Sequence, residues 1–449
     1  MARIQMFVDE GLGHSSYLID LGDGTAAILD PPRFATDHLT AAVARSATPR
    51  WTIDTHSHAD YVTGSPALTA HDGVTFIAPA ASKLETPHRA VHDEERITLA
   101  PGVTLHAIAT PGHTPDHHVY LLESDGSPVA LFTGGSLMVG AVGRTDLCGP
   151  ELAEPLAHDM FHSLHRLDGL PDDLAVYPTH GAGSFCSAPG GSDRTTTLGR
   201  ERATNALFRI DDEDTFVEQL LAGFGSFPTY FARLPELNRR GPRYYPELPR
   251  LDRLDIDTVE QHLDAGALVV DARPISEFGA GHVPGSISNA LRPVFASWLG
   301  WVTELERPIV IVAGADQDGD EIVRQCLDIG HDNILGELHG GIDEWRAAGR
   351  QIHAIPLVTP ADIVATVIDV RQRSEYETGH VPGAIHIELG SLAHSAVPEG
   401  PVTVMCGHGE RAMTGASILT GRGHRDVTVL DGGPDTWAEW SGLPLAVGQ

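Results

Sequence analysis

Residues 1–30 alternate apolar and polar side chains: Ile4, Met6 and Val8, then Tyr17-Leu18-Ile19-Asp20, then the apolar stretch 26–29, with glycines at 11, 13, 22 and 24 between them. A period of two belongs to half-buried strands, and the glycines mark the turns, so the chain opens with a predicted β-meander. A helix is predicted over 35–45. Strands are predicted over 51–53, 74–78, 103–109, 119–122, 129–132 and 174–176, with helices over 157–167 and 214–222. Several of these strands run into a sharp turn and then a histidine: Asp54-Thr-His56, Thr110-Pro-Gly-His113 and Tyr177-Pro-Thr-His180. Polar donors gathered at strand ends along one edge fit a layered α/β sandwich. The stretch 190–250 is rich in Arg, Pro and Gly and reads as a connector lying over that domain.

From residue 251 the pattern repeats. Val270-Asp271-Ala-Arg273 followed by Glu277-Phe278, Gly281-His282-Val-Pro-Gly285 and Ile287 returns as Ile368-Asp369-Val-Arg371 followed by Glu375-Tyr376, Gly379-His380-Val-Pro-Gly383 and Ile385. Gly340-Gly341 with Trp345 returns as Gly432-Gly433 with Trp437. Two copies of one small parallel α/β domain of about 95 residues are predicted. The expected division is 1–250, 251–355 and 356–449.

Charge and cysteine content narrow the function. The 449 residues carry 61 acidic against 30 basic side chains, a formal charge of −31. Such a chain is repelled by nucleic acid and by anionic membranes, so both are excluded as partners. Four scattered cysteines (Cys148, Cys186, Cys326 and Cys406) make neither a disulfide framework nor a CxxC zinc site. The start of the chain has no signal-like apolar run, and no stretch is long enough to span a bilayer. A soluble protein of the reducing cytoplasm is expected; a homo-oligomer is left open.

The candidate chemistry is in two places. His56, His58 and Asp60 sit at i, i+2 and i+4 after the strand 51–53, so the three donors leave the strand tip together. Imidazole and carboxylate are ligands for zinc, iron or manganese. With His113 and His180 they make a candidate site for one divalent metal, Fe(II) or Zn(II). The second place is Cys406-Gly407-His408-Gly409-Glu410-Arg411, between a predicted strand and helix. Its backbone N–H groups can wrap a sulfur, and Arg411 adds positive charge. A sulfur so cradled can accept a sulfane sulfur and hold it as a persulfide.

Residues 1–250 resemble the metallo-β-lactamase superfamily, whose loop reads HxHxDH. Thr110-Pro-Gly-His113-Thr-Pro-Asp and Val142-Gly-Arg144-Thr-Asp146 resemble its persulfide dioxygenases and their rhodanese fusions. The resemblance implies an αββα sandwich followed by two rhodanese-like domains. It also marks two departures: Tyr61 stands at the last His of the loop, and Gly135 stands where the family has an acidic ligand. The persulfide dioxygenase iron face would therefore keep His56 and His113 and lose its carboxylate. What survives is the family's three-His set, His56, His58 and His113, with Asp60 and His180 expected to act around it; weak or absent metal remains an alternative. The Cys406 loop resembles the rhodanese CxxGxR. The first copy aligns Ala313 with the cysteine and Asp318 with the arginine, so it is expected to be a structural or docking domain. The expectation is a sulfur-metabolism enzyme, a sulfurtransferase joined to a persulfide dioxygenase-like domain, acting on a small thiol or persulfide such as glutathione persulfide or on thiosulfate. The alternatives are a zinc-dependent thioester or ester hydrolase and a non-catalytic binding protein.

Overall fold

In the computed structural model, residues 2–71, 73–181, 183–186, 193–363 and 366–448 are described; the first residues of the expected connector, 190–192, lie outside them. The chain divides into two compact units, 1–247 with 327–330, and 248–326 with 331–449.

The first unit is built on two six-stranded sheets. One runs in chain order through Arg3–Asp9, His14–Asp20, Thr25–Leu29, Thr48–Ile53, Thr75–Pro79 and Arg89–Val91. The other has the order Thr196–Thr197, Ala175–Pro178, Ser127–Gly134, His118–Ser124, Val103–Ala109, Arg96–Ala100. Alternation along each strand sends side chains to two different cores. Tyr17, Ile19, Ala27, Leu29, Tyr120, Leu122 and Phe132 meet between the sheets. Leu18, Ala26 and Ile28 turn outward to Ala42 of the helix Thr36–Ala44. Leu121 and Leu131 turn outward to Ala157, Met160 and Leu164 of the helix Pro150–His165. Helix, sheet, sheet and helix therefore stack as an αββα sandwich.

One reading of the first unit needs correction. The supposed connector is a packed part of the sandwich: Tyr230, Phe231, Leu234 and Asn238 are buried, and Leu234–Arg240 is a helix. His88 and His92 flank the strand Arg89–Val91.

In the second unit, each copy is a five-stranded parallel sheet with the same strand order. The central strands Leu268–Asp271, Ile309–Val312 and Val402–Met405 are buried throughout, as parallel strands covered on both faces must be. The structure explains the repeated motif physically. Asp271 and Asp369 are buried carboxylates at strand ends, clamped by Arg273 and Arg371 at 2.6 and 2.7 Å. Each arginine also donates to a carbonyl across the turn, of Gly281 at 2.9 Å and Gly379 at 2.7 Å. His282 stacks on Phe278, and His380 on Tyr376, at ring separations of 3.9 and 3.7 Å. The motif is a clasp that holds the strand–helix–strand unit, not a reaction centre.

Candidate active sites

The histidines of the first unit converge at the strand ends, and a network of hydrogen bonds fixes which nitrogen each presents. Thr55 donates its hydroxyl proton to Asp30 Oδ2 at 2.8 Å, so at 2.8 Å it accepts from His56 Nδ1–H. His113 Nδ1–H donates to the Arg144 carbonyl at 2.9 Å. Both rings therefore keep Nε2 as a lone pair. Burial, with the neighbouring histidines adding to it, holds His56 well below its usual pKa; burial, then His180, lowers His113 to about 3. Neutral imidazole is the ligating form. His180 Nε2 lies 3.3 Å from His56 Nε2, and donor atoms of His56, His113 and His180 all lie within 4.8 Å of one another. Three imidazoles at this spacing suit a single divalent ion.

His58 is engaged through one nitrogen, and its buried Nδ1 is unbonded. Its Nε2 lies 3.2 Å from Asp30 Oδ1 and 3.0 Å from the Tyr61 hydroxyl. Burial lowers its pKa, but the Asp30 charge and hydrogen bond outweigh that and raise it overall. The structure thus groups His56 and His113 with His180, whereas the sequence grouped them with His58. Tyr61, at the position of the superfamily's last loop histidine, is buried and stacks on His14 at 3.9 Å. Asp60 is buried with both carboxylate oxygens unbonded; His180 Nδ1 is 3.2 Å away but not aligned for a hydrogen bond. Although burial opposes it, His180 and the other nearby histidines hold Asp60 ionised. His58, Asp60 and His180 also offer donor atoms within 4.8 Å of one another. A buried, unbonded carboxylate beside histidines fits a cation, so the residues present fit a metal. A third cluster, Asp30, Asp54 and His58, is already saturated by hydroxyls of Thr55, Thr63 and Ser65 and by the His58 ring.

Glycine at 135 has a steric reason. A Cβ there would lie 2.2 Å from His113 Cδ2 and 2.6 Å from its Nε2. A Cβ at Gly143 would lie 2.7 Å from His113 Nδ1. The ring is clamped between two glycines, in space that a carboxylate-bearing residue would need. Asp146 does not replace that carboxylate, because Arg144 holds it in a two-pronged ion pair at 2.7 and 2.8 Å.

Several supporting residues escaped the sequence reading. Asn238 donates to the His58 and Tyr61 carbonyls at 2.9 and 3.0 Å and accepts from Thr63 N–H at 3.1 Å. Tyr230 donates to the Asp60 carbonyl at 2.9 Å. Together they pin the metal loop. Asn238→Ala would strand three buried backbone groups and is expected to cost about 3 kcal/mol, read from urea unfolding. His117 is buried beside His56, but both its nitrogens are engaged, by Thr110 Oγ1 and Gly135 N–H. A cavity of about 620 Å³ adjoins the loop, lined among others by Ser57, Asp116, Cys148, Phe227 and Arg239. Burial, then Asp116, pushes the Cys148 thiol up to about 11.

In the second unit, Cys406 follows the strand Val402–Met405 and precedes the helix Glu410–Gly421. Gly409 N–H donates to its Sγ at 3.1 Å, with Gly409 at φ +105°. A Cβ at Gly433 would lie 2.3 Å from the Gly407 carbonyl, which explains the paired glycines after the last strand. Arg411 is held by Glu375 through two bonds of 2.6 and 2.7 Å. Glu410 begins the helix, and Gly407 and His408 complete the turn. In the first copy, Gln317 fills the equivalent loop, accepting from Gly314 N–H and donating to the Ala272 carbonyl, each at 2.7 Å. Cys326 is buried in that copy.

Comparison with known proteins agrees with this architecture. The rhodanese-like domain family matches residues 255–348 and 358–439. The chain is 30% identical over 236 residues to a hydroxyacylglutathione hydrolase of Rhizobium meliloti, covering 47% of this chain and 88% of the relative. It is 34% identical over 184 residues to one of Brucella anthropi, covering 40% of this chain and 65%, just under two thirds, of the relative. A crystal structure of a metallo-beta-lactamase from Staphylococcus aureus superposes with a TM-score of 0.66 at 27% identity, covering 75% of this chain and 98% of that one. The fold and the histidine cluster define a metallo-β-lactamase-fold metal domain. The chain belongs to the family of that fold that includes these hydroxyacylglutathione hydrolases, and it carries two rhodanese-like domains after the metal domain. Among the described residues, no helix is long and apolar enough to cross a membrane.

Proposed function

We propose that the protein is a cytoplasmic sulfur-metabolism enzyme that moves sulfane sulfur through Cys406, and that its metal domain binds a low-molecular-weight thiol or persulfide. The observation that carries this reading is the Cys406 loop, with Gly409 N–H on the sulfur and Arg411 fixed beside it. The Cys406 thiolate attacks the outer sulfur of the donor. A new S–S bond forms, the donor's own S–S bond breaks, and the leaving group (sulfite from thiosulfate, a thiolate from a persulfide) departs with the electron pair. An acceptor thiolate then takes the outer sulfur and returns Cys406 to thiolate. The domain assignment remains 1–250, 251–355 and 356–449.

In the metal domain, His56, His113 and His180 would hold the ion, with Asp60 behind His180. A divalent ion there supplies Lewis-acid activation of a bound group. Thr55 and the Arg144 carbonyl orient the two imidazoles, and the adjoining cavity is large enough for a tripeptide-sized thiol. A persulfide dioxygenase-like activity would have to run without the carboxylate lost at Gly135. The names of the relatives favour a second reading for this domain, hydrolysis of a glutathione thioester. The test incubates the protein with thiosulfate, glutathione persulfide or a glutathione thioester. One sulfur gained on the Cys406 peptide by mass spectrometry supports the first reading. Thioester hydrolysis without such a gain replaces it with the second.

A further inference from the structure

The cysteine-free copy reaches the loop of its neighbour. Trp298, on the helix Phe295–Val302, lies under the Arg411 guanidinium, 5.1 Å from ring centroid to carbon. Arg292 Nη1 is 3.9 Å from Glu410 Oε1, at the first turn of the helix behind Cys406. Ile275 packs on the loop itself: a Cβ at Gly409 would meet its Cδ1 at 2.8 Å. Ser417, farther along the same helix, accepts from Ser288 N–H at 3.2 Å. Arg292 senses the site electrically as well. Burial lowers its pKa, Glu410 and Cys406 pull it back up, and Arg411 pushes it down.

Two arginines from two copies thus reach one cysteine loop. Arg411 is largely neutralised by its two-pronged pair with Glu375. Among the described residues, the ion pair of Arg292 is the long contact to Glu410, and Arg292 is about a third exposed. It is the cation better placed to meet an incoming anion.

Resting on the sulfur-transfer reading, we infer that the cysteine-free copy completes the site of its neighbour: Arg292 binds the anionic end of an oxyanion sulfur donor, and Trp298 positions Arg411. In the transfer from thiosulfate, the bond from Cys406 Sγ to the outer sulfur forms as the S–S bond breaks, and sulfite leaves with the electron pair. Arg292 faces the negative charge that sulfite carries away.

The test compares two donors whose leaving groups differ in charge on the full-length protein, reading Cys406 persulfide in single turnovers. Thiosulfate is a dianion, and the leaving group of cysteamine persulfide carries an ammonium. Arg292→Gln is expected to lower the second-order rate with thiosulfate about tenfold, with no loss for cysteamine persulfide, and Arg292→Lys is expected to restore most of the thiosulfate rate. Trp298→Leu is expected to slow thiosulfate, and Trp298→Phe to recover it. A parallel fall with both donors, or no change with either, overturns the inference while the sulfur-transfer reading stands. If the unaltered protein forms no Cys406 persulfide with either donor, both fail together.

Discussion

Cys406→Ser is expected to remove sulfur transfer from thiosulfate and from glutathione persulfide by at least about a thousandfold, with fold and metal content unchanged. The substitution is nearly isosteric, and Gly409 N–H can donate to an oxygen as it does to sulfur. What is lost is the nucleophile. A serine hydroxyl is not ionised near neutral pH, and it cannot carry the transferred sulfur as a persulfide. The other three thiols do not substitute for it. Burial raises the pKa of Cys148 and Cys186, and Cys326 is fully buried in the copy whose loop Gln317 fills. The measurement is thiocyanate or thiol-persulfide formation against donor concentration, with circular dichroism as the folding control. Transfer that survives in the serine variant would move the chemistry out of the second unit and sink the sulfur-transfer reading.

The strand-end histidines were legible because they need only a period of two and a turn. The repeat was legible because Asp271–Arg273 and Asp369–Arg371 are fixed by a local clasp two residues long. The pairing of the histidines was not legible. It depends on Asp30, which follows the strand Thr25–Leu29 and holds His58 Nε2, and on Gly135 and Gly143, which admit the His113 ring. Neither signal is periodic, and both act across the fold. Residues 230–238 misled for a compositional reason: prolines and arginines surround Tyr230, Phe231, Leu234 and Asn238, so a buried segment reads as surface chain. The first copy was read as inert because its loop has Ala313 in place of cysteine. The residues that reach the Cys406 loop lie instead around the apolar helix Phe295–Val302, where Trp298 looks like ordinary core.

The metal domain yields the second large effect. His180→Ala is expected to weaken binding of Zn(II) or Co(II) by more than about a hundredfold, as are His56→Ala and His113→Ala, because each removes one of three facing donors. His58→Gln is expected to weaken it less, by up to about tenfold, since Asp30 and Tyr61 hold its Nε2 while its unbonded Nδ1 remains a donor near Asp60 and His180. Asp60→Asn is expected to fall between, at about 10- to 100-fold, by removing the charge beside His180. The readouts are elemental analysis of the purified variants and the visible spectrum of the cobalt-loaded protein, which reports ligand number directly. If His58→Gln abolished binding while His180→Ala retained it, the donor set would be His56, His58 and His113, the set the motif suggests on its own. If no variant, nor the unaltered protein, held metal above trace, the unbonded oxygens of Asp60 would need another partner, and Cys406 would remain as the reactive centre of the chain.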